Sequence, residues 1–462
     1  METIIAEIAE KFIKNICEKL SWGQKFIEIE GELLKSVKEC AAELAKAHIE
    51  LVDAHILADS AGRRVGGYAV ERYGDVRRLQ TQIGEVRFAR TYYKKASGGY
   101  EYLADTALGI EARERVSEGL AIALSAAAKD MSYAKASRHI ADNAVSRQTV
   151  MHRVRRSVAA PDSPQRRQVP ELHIDADEAH ITLCGGKKSE FPARRGQVPL
   201  ISVYEGIEKQ GKRHKCRNVF HISEYGKKPD ELWEQVLSEI ERRYDLTGTK
   251  IYLHGDGASW IQTGFEWIPN AVFVLDKYHK NKAIKAMTAG LESPDRKAFD
   301  SEIRAALADE DLRFFDEMAQ SLCGQFPQRR EKIAENAAYL RRFVAGISVC
   351  GRDPGANNGG CTEPHVSHVL SARLSSRPMA WSKRTLRQLA PVLAAGRIDF
   401  CGKSSPALLP PLLRNAVVSA NKSFRKSGGN RKTAGLPHPD AIGKLPLTGK
   451  ITGTQKILKF FR

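Results

Sequence analysis

Between Glu171 and Asp276 the chain leaves helical spacing for short β-rich runs in a fixed order, and two of these runs, KIYLHGD and NAVFVLD, stop at an aspartate. ELHIDADEAHITL alternates in polarity, RGQVPLISVYEGI and CRNVFHISEY supply two more apolar runs, and a helical pattern covers Asp230 to Tyr244. Alternation at period two marks half-buried strands, and strands separated by helical patterns join one sheet through crossovers. Three strands, a helix, a strand, a helix and a strand therefore predict an α/β domain with acids on a central strand and at strand ends. Asp175 and Asp177 lie two apart, so in a strand both project from one face.

This order is the RNase H-like arrangement, and three carboxylates carry its chemistry: Asp177, Asp256 in HGDGASW and Glu363 in GGCTEPHVSH. A phosphodiester resists attack until two divalent cations, held about 4 Å apart by acidic side chains, neutralise it and activate water or a sugar hydroxyl. Carboxylate oxygens suit hard Mg²⁺, so two Mg²⁺ ions are the expected cofactors, with Mn²⁺ as a substitute. Each acid has a plainer explanation. Asp256 sits in Gly-Asp-Gly, a sequence suited to capping a helix that begins near Ala258. Glu363 is an acid in a first helical turn, favoured by the helix dipole. Asp177 is harder to explain away, because a buried charge without a partner is costly. Asp175 and Glu178 compete with it for the first position. Asp276 and His279 are one helical turn apart and share a face. Lys280, Lys282 and Lys285 follow on and could meet phosphates. No Cys or His pair is spaced for zinc.

Elsewhere the chain reads as helical. Apolar residues recur at helical spacing from Ile4 to Ile56, predicting two or three amphipathic helices within residues 1–62 as a packing or dimerisation element. Residues 63–103 predict a hairpin around Ile83-Gly84 whose exposed side carries Arg87, Arg90, Lys94 and Lys95. Within 104–160, MSYAKASRHIADNAVSRQTVMHRVRRSV has the cadence of a helix-turn-helix: Ala134, Ala136, Ile140 and Ala141 pack the first helix, Asp142 and Asn143 turn, and Ser146 caps the second. Arg147, Gln148, His152 and Arg153 then fall on a recognition helix. After a linker at Pro161–Pro170, the α/β domain is expected at 170–285 and 351–398, interrupted by an all-α insertion at 286–350. The loop GRDPGANNGG is expected to be flexible and to deliver Glu363 to the next helix. The tail, 399–462, is basic and expected to be extended.

Charge narrows the partners. Lys and Arg number 73 against 55 acids, a net charge of +18 that favours a polyanion such as double-stranded DNA. The opening residues carry acids through their apolar stripe and no run reaches membrane-spanning length, so a cytoplasmic, nucleoid-associated protein without membrane contact is expected. The eight cysteines never form CxxC, as expected of reduced thiols.

The segments IDADEAHI, YLHGDGASWIQTG, FVLDKYHKNKA and CTEPHVSHVLSARLSSRPMAWS resemble those of the ISLre family of bacterial insertion-sequence transposases, related to Mutator-like transposases. The likeness extends to IGEVRFARTYY, LADTALGI and SRQTV and runs from about Gly66 to Ala395. It implies a DDE nuclease with Asp177, Asp256 and Glu363 as the three acids and Asp276 and His279 as a supporting D-x-x-H. The expected function is binding of the element's terminal inverted repeats, metal-dependent strand cleavage and transfer to target DNA, in a homo-oligomer. Two alternatives stay open: a DNA-binding regulator or inactive copy on the same scaffold, and an RNase H-like nuclease without strand transfer.

Overall fold

The structure is a computed structural model that describes residues 2–20, 23–159, 164–184, 194–211, 213–377, 379–396, 398–400 and 409–427. It is a mixed α/β architecture in two compact units. One unit is formed by Met1–Arg78, Glu85–Ala112 and the described C-terminal residues 409–427; the other by Leu79–Gly84 and the chain from Arg113 to residue 400. Among the described residues no helix is long and apolar enough to cross a membrane.

The larger unit is built on five strands: β1 (Glu171–Leu183), β2 (Arg194–Tyr204), β3 (Phe220–Ile222), β4 (Lys250–Gly255) and β5 (Ala271–Leu275). Their order is β3-β2-β1-β4-β5. β3, β2 and β1 run antiparallel to one another, while β4 and β5 run parallel to β1. Period two sorts the residues of β1 onto two faces. Leu172, Ile174 and Ala176 join Ile201, Val203, Ile251 and Leu253 against Leu232, Trp233, Val236 and Ile240 of the helix Pro229–Arg243. Pro229 opens that helix, where a missing N–H costs nothing. His173, Asp175 and Asp177 take the other face, so the polar side of this central strand is buried as well.

The expected all-α insertion is present as helices Lys277–Thr288, Ser293–Ala308, Leu312–Gln325, Arg330–Arg342 and Val344–Arg352. They share a core of Ile284, Met287, Ile303, Leu307, Phe315, Leu322, Ile333 and Leu340. The helix-turn-helix also forms, as Tyr133–Ala141 and Arg147–Val154 behind the helix Glu118–Asp130. Asp142 and Asn143 turn the chain at φ 47° and 62°, and Ser146 accepts the amide of Thr149 at 3.1 Å as the cap. One packing expectation is corrected: Ala134 is exposed, and Ser137 is buried in its stead with its hydroxyl bonded to the Val145 carbonyl. These helices are not a domain of their own. Leu120, Leu124, Val150 and Val154 belong to one core with Ala179, Ile181 and Leu183 of β1 and with Leu386 and Leu389.

In the smaller unit the helices Glu2–Lys19 and Phe26–Ala58 precede the hairpin strands Tyr68–Thr81 and Gly84–Lys95. Arg87 and Lys94 are exposed as expected, but Arg90 is not: it pairs with buried Asp105, which Arg77 also engages at 2.6 Å. A buried carboxylate between two guanidiniums satisfies charges that would be costly alone. Lys95 pairs with Glu101 at 2.6 Å. The basic tail differs from its expected extended form over Pro411–Ser427, which is a helix placing Leu412, Leu413, Ala416 and Ala420 in a core with Val52, Ile56 and Tyr93. Residues 161–163 of the linker and residues 401–408 and 428–462 of the tail lie outside the described residues.

Candidate active site

Sheet register decides which side chains meet. Tyr204, His173 and Tyr252 form one cross-strand row over β2, β1 and β4; Ser202, Asp175 and His254 form the next. Asp177 follows, opposite Leu200. Asp256 and Asp276 each stand one residue past the last pair, Gly255 with Leu275, so they share with Asp177, midway along β1, the row where β4 and β5 end. Asp276 N–H is bonded to the Gly255 carbonyl at 3.0 Å, which keeps that row in register.

Asp177 is the strained member. It is 9% exposed and accepts the amide of Glu178 at 2.8 Å. Burial pushes its carboxyl up to about 7; the Asp256 charge adds to the rise, and the Glu178 amide and His279 oppose it. Asp256 accepts the Ala258 amide at 2.8 Å, so its turn-forming role is real and leaves its second oxygen for other work. The turn is braced by the insertion: Tyr339 donates its hydroxyl to the Asp256 carbonyl at 2.8 Å, and Gly257, at φ +83°, lies against Phe343. A Cβ on Gly257 would stand 2.1 Å from that ring.

Asp276 caps the helix Lys277–Thr288, accepting the amides of Tyr278 and His279 at 2.9 and 3.1 Å and meeting His279 Nδ1 at 3.2 Å. Burial works to raise its carboxyl, but the His279 hydrogen bonds hold it below the usual range. The hydrogen bond to Asp276 in turn lifts the His279 imidazole, and the charges of Asp177 and Asp256 lift it further. His279 is thus the imidazole that the aspartate row favours in its charged form.

Asp175 is brought to the same face but is fully engaged elsewhere. Both its oxygens accept from the Tyr204 hydroxyl at 3.0 Å, and Oδ2 accepts the Cys361 amide at 2.8 Å. Glu178 points to the opposite face and accepts from Trp260 Nε1 at 2.7 Å and Gln197 at 2.6 Å. Of the three acids, Asp177 is the one that stands in the row with Asp256. Beneath the row, His173 Nδ1 and His254 Nε2 are 3.1 Å apart, and burial lowers both imidazoles, His254 to about 4.

The loop before Glu363 is pinned, contrary to its expected flexibility. Tyr252 donates to Asp353 at 2.9 Å, Asn358 to Glu171 at 3.0 Å, Lys277 to the Asn357 and Gly359 carbonyls at 3.4 Å, and Gly360 N–H to the Tyr204 hydroxyl at 3.0 Å. A Cβ on Gly359 would stand 2.4 Å from both His173 and His254, so only glycine lets the loop seat there. Glu363 follows in the short helix Thr362–Val366, and its side chain is exposed. The helical stretch continues through a π turn at Ser367–Ser371 and ends at Leu374.

Two of the three expected acids, Asp177 and Asp256, therefore stand together with Asp276 and His279. Glu363 is exposed in its short helix, and among the described residues no group of three His, Cys, Asp or Glu side chains that could hold a metal ion is found. The aspartate pair itself suits a hard divalent cation, which would relieve the penalty of a buried carboxylate beside a like charge.

Of the expected nucleic-acid contacts, Arg147, Gln148 and His152 are exposed on the second helix. Arg153 is not available, being 12% exposed and paired with Glu114. Lys282 and Lys285 are exposed, whereas Lys280 is half-buried and its ammonium lowered, chiefly by burial. Sequence reading missed Tyr204, His173, His254 and Tyr339. Strand arithmetic could have found the histidines, since His254 stands two residues before Asp256 and His173 two before Asp175; the tyrosines carry no such signal.

A profile described as "Uncharacterised protein family (UPF0236)" matches residues 19–403. Two UPF0236 proteins of Caldanaerobacter subterraneus subsp. tengcongensis are similar to the chain. One is 33% identical over 391 residues, covering 82% of this chain and 80% of the relative; the other is 34% identical over 403 residues, covering 84% and 82%. The UPF0236 protein in the vanSb 3' region of Streptococcus gallolyticus is 26% identical over 416 residues, covering 86% of each.

Proposed function

From the premise that the chain belongs to the uncharacterised protein family UPF0236, we propose that it is a DNA transposase of the DDE type, built on an RNase H-like core, that cuts the ends of its own element and joins them to target DNA. The observation that carries the reading is Asp177, midway along β1, in one row with Asp256 just past the end of β4, Asp177 with its carboxyl pushed up to about 7. The sheet order, with three antiparallel strands followed by two parallel ones, supports the RNase H-like reading. The name of one relative in C. subterraneus joins eleven serial designations, as would befit a protein encoded by a self-copying element.

Asp177 and Asp256 would hold Mg²⁺, and Glu363 would complete the set. When bound, the ions neutralise the phosphate and supply an activated hydroxyl. The chain's own residues do the rest. His279, tied to Asp276, sets the charge of the row; Tyr339 and Phe343 fix the Asp256 turn; and the pinned loop fixes where the Glu363 helix begins. Arg147, Gln148 and His152 offer base and phosphate contacts from the second helix of the helix-turn-helix. Serving two ends calls for two active sites, hence an assembly of at least two copies.

One observation favours a second reading. Glu363 is exposed, and among the described residues no group of three acids, His or Cys is found that could hold a metal ion, as in a DNA-binding regulator that keeps an inert scaffold. Cleavage of labelled DNA carrying the ends of the native locus, in Mg²⁺ or Mn²⁺, separates the two. The transposase reading expects nicking at the ends that is lost in Asp256→Ala and Glu363→Ala, and joining to a target. Specific, salt-sensitive binding without cleavage would establish the regulator.

A further inference from the structure

The helix Phe26–Ala58 carries two seams at the spacing of a paired helix, and its own unit fills only one of them. Ile29, Leu33, Ser36, Cys40 and Glu43 recur at alternating steps of four and three residues. That seam faces the helix Glu2–Lys19: Ser36 is buried, Lys19 reaches it at 3.5 Å and Glu39 at 3.4 Å, Lys11 pairs with Glu43, and Ile8 and Phe12 line a cleft with Cys40. Ile27, Glu30, Leu34, Val37, Ala41 and Leu44 recur with the same alternation, the heptad pattern of a helix that packs along another helix. The first turns of this second seam are bare. Ile27 is 73% exposed, Leu34 58% and Val37 51%, with Phe26 beside them at 77%. Scattered apolar residues on a surface need no explanation, whereas four within three turns of one helix form a patch.

Charge, backbone and area each point to a second copy of this chain as the occupant. Antiparallel pairing about a two-fold axis level with Lys35 sets Ile27 against Leu44 and Leu34 against Val37, and brings Glu30 of each copy to the Lys35–Lys38 turn of the other. Parallel pairing sets Glu30 against itself. Gly31 lies on the flank of the seam, where an added Cβ meets nothing within 4 Å. Glycine weakens a helix interior, and nothing in its own unit crowds this one; it leaves room for a second backbone and a long lysine side chain. The four exposed side chains present roughly 400 Å² per copy, about half of the ~800 Å² per partner that a standard interface buries. The stretch from Phe26 to Leu44, about 27 Å long, holds the polar rim that completes it.

We propose that the helix Phe26–Ala58 is a self-association surface, pairing antiparallel with the same helix of a second copy along Ile27, Leu34 and Val37. The pairing does not rest on the transposase reading. Under that reading it supplies the two-copy assembly that serving two ends requires.

The test is the mass of the full chain by light scattering behind size-exclusion chromatography. The expected mass is twice 51.3 kDa for the wild type and 51.3 kDa for Leu34→Glu and for Gly31→Arg. Circular dichroism should be unchanged in both variants, because both positions are open in the single copy. Glu30→Lys and Lys38→Glu should each dimerise roughly tenfold more weakly alone and regain the wild-type affinity when mixed, since only the mixture restores opposite charges across an antiparallel pair. A wild type of 51.3 kDa at tens of micromolar, or a dimer that Leu34→Glu and Gly31→Arg leave intact, overturns the proposal. So does a monomer that becomes a dimer only when residues 428–462 are removed, since the C-terminal segment is then the occupant of the seam. Metal-dependent nicking is scored separately: its absence in the wild type counts against the transposase reading and leaves the pairing to be judged on mass.

Discussion

The Asp175 carboxylate accepts the backbone amide of Cys361 at 2.8 Å, tying the central strand to a residue 186 positions later. Tyr204 completes the tie, donating to the same carboxylate and accepting from Gly360. The first aspartate of the IDAD motif thus positions the start of the Glu363 helix, and under the proposed function the metal-holding role goes to Asp177, two residues on.

Asp175→Asn keeps the shape but replaces the carboxylate with a neutral amide, so the hydrogen bonds from the Cys361 amide and the Tyr204 hydroxyl are weakened. Hydrogen bonds to a buried charge contribute about 1.5–3 kcal/mol each, and a loss of about 2 kcal/mol is expected. Urea denaturation checks the size, and hydrogen exchange at residues 360 and 361 checks the place. A variant of unchanged stability that fails to bind Mg²⁺ would show Asp175 to be a ligand instead.

Asp177 should destabilise the metal-free protein at neutral and higher pH. Its folded carboxyl is raised to about 7, whereas an unfolded aspartate titrates near 3.9. Below about pH 4 both states hold the proton and nothing is lost. As pH rises from there towards 7 the unfolded state gives up its proton first, so stability falls, and above 7 the full penalty remains. Asp177→Asn is expected to stabilise the metal-free protein by roughly 1–3 kcal/mol near pH 8, with the gain vanishing near pH 4. Urea midpoints at the two pH values decide it. Mg²⁺ should stabilise the wild type near pH 8 but not the variant.

Gly257→Ala meets two obstacles at once, a left-handed backbone and the Phe343 ring. The expected cost is roughly 2–4 kcal/mol. The double variant Gly257→Ala with Phe343→Ala should be less destabilised than the sum of the two single changes, because the clash is gone and only the backbone term and the lost ring packing remain. Strict additivity in thermal melts would mean that the insertion does not brace the Asp256 turn.

On the helix-turn-helix, neighbouring arginines should behave differently. Arg147→Ala removes an exposed charge and is expected to weaken DNA binding and lower the salt slope by about 1, with stability unchanged. Arg153→Ala breaks the pair with Glu114 and should instead lower the melting temperature. Fluorescence anisotropy across a salt series, beside thermal melts, tests both halves. Equal loss of DNA binding in the two variants would remove the distinction.

Much of the fold was legible because its signals are local. Period-two alternation in ELHIDADEAHITL, the Asp-terminated runs of β4 and β5, the helical spacing of the insertion and the Ser146 cap each depend on a few consecutive residues, and each element stands where its pattern put it. The helix at Pro411–Ser427 was hidden, because its apolar stripe of Leu412, Leu413, Ala416 and Ala420 is interleaved with basic residues that read as a solvated tail.

At the site, the sequence by itself determined that Asp175 and Asp177 share a face, that Asp276 and His279 share a helical turn, and that Asp256 closes a strand, since alternation, helical pitch and turn chemistry are properties of the local backbone. Only the tertiary structure decided which acid is tied and which is strained, that Glu178 turns to Trp260 and Arg153 to Glu114, and that the glycine-rich loop is pinned on two histidines. Those outcomes depend on sheet register and on partners dozens to hundreds of residues away, where burial and charge, rather than local pattern, set what each side chain can do.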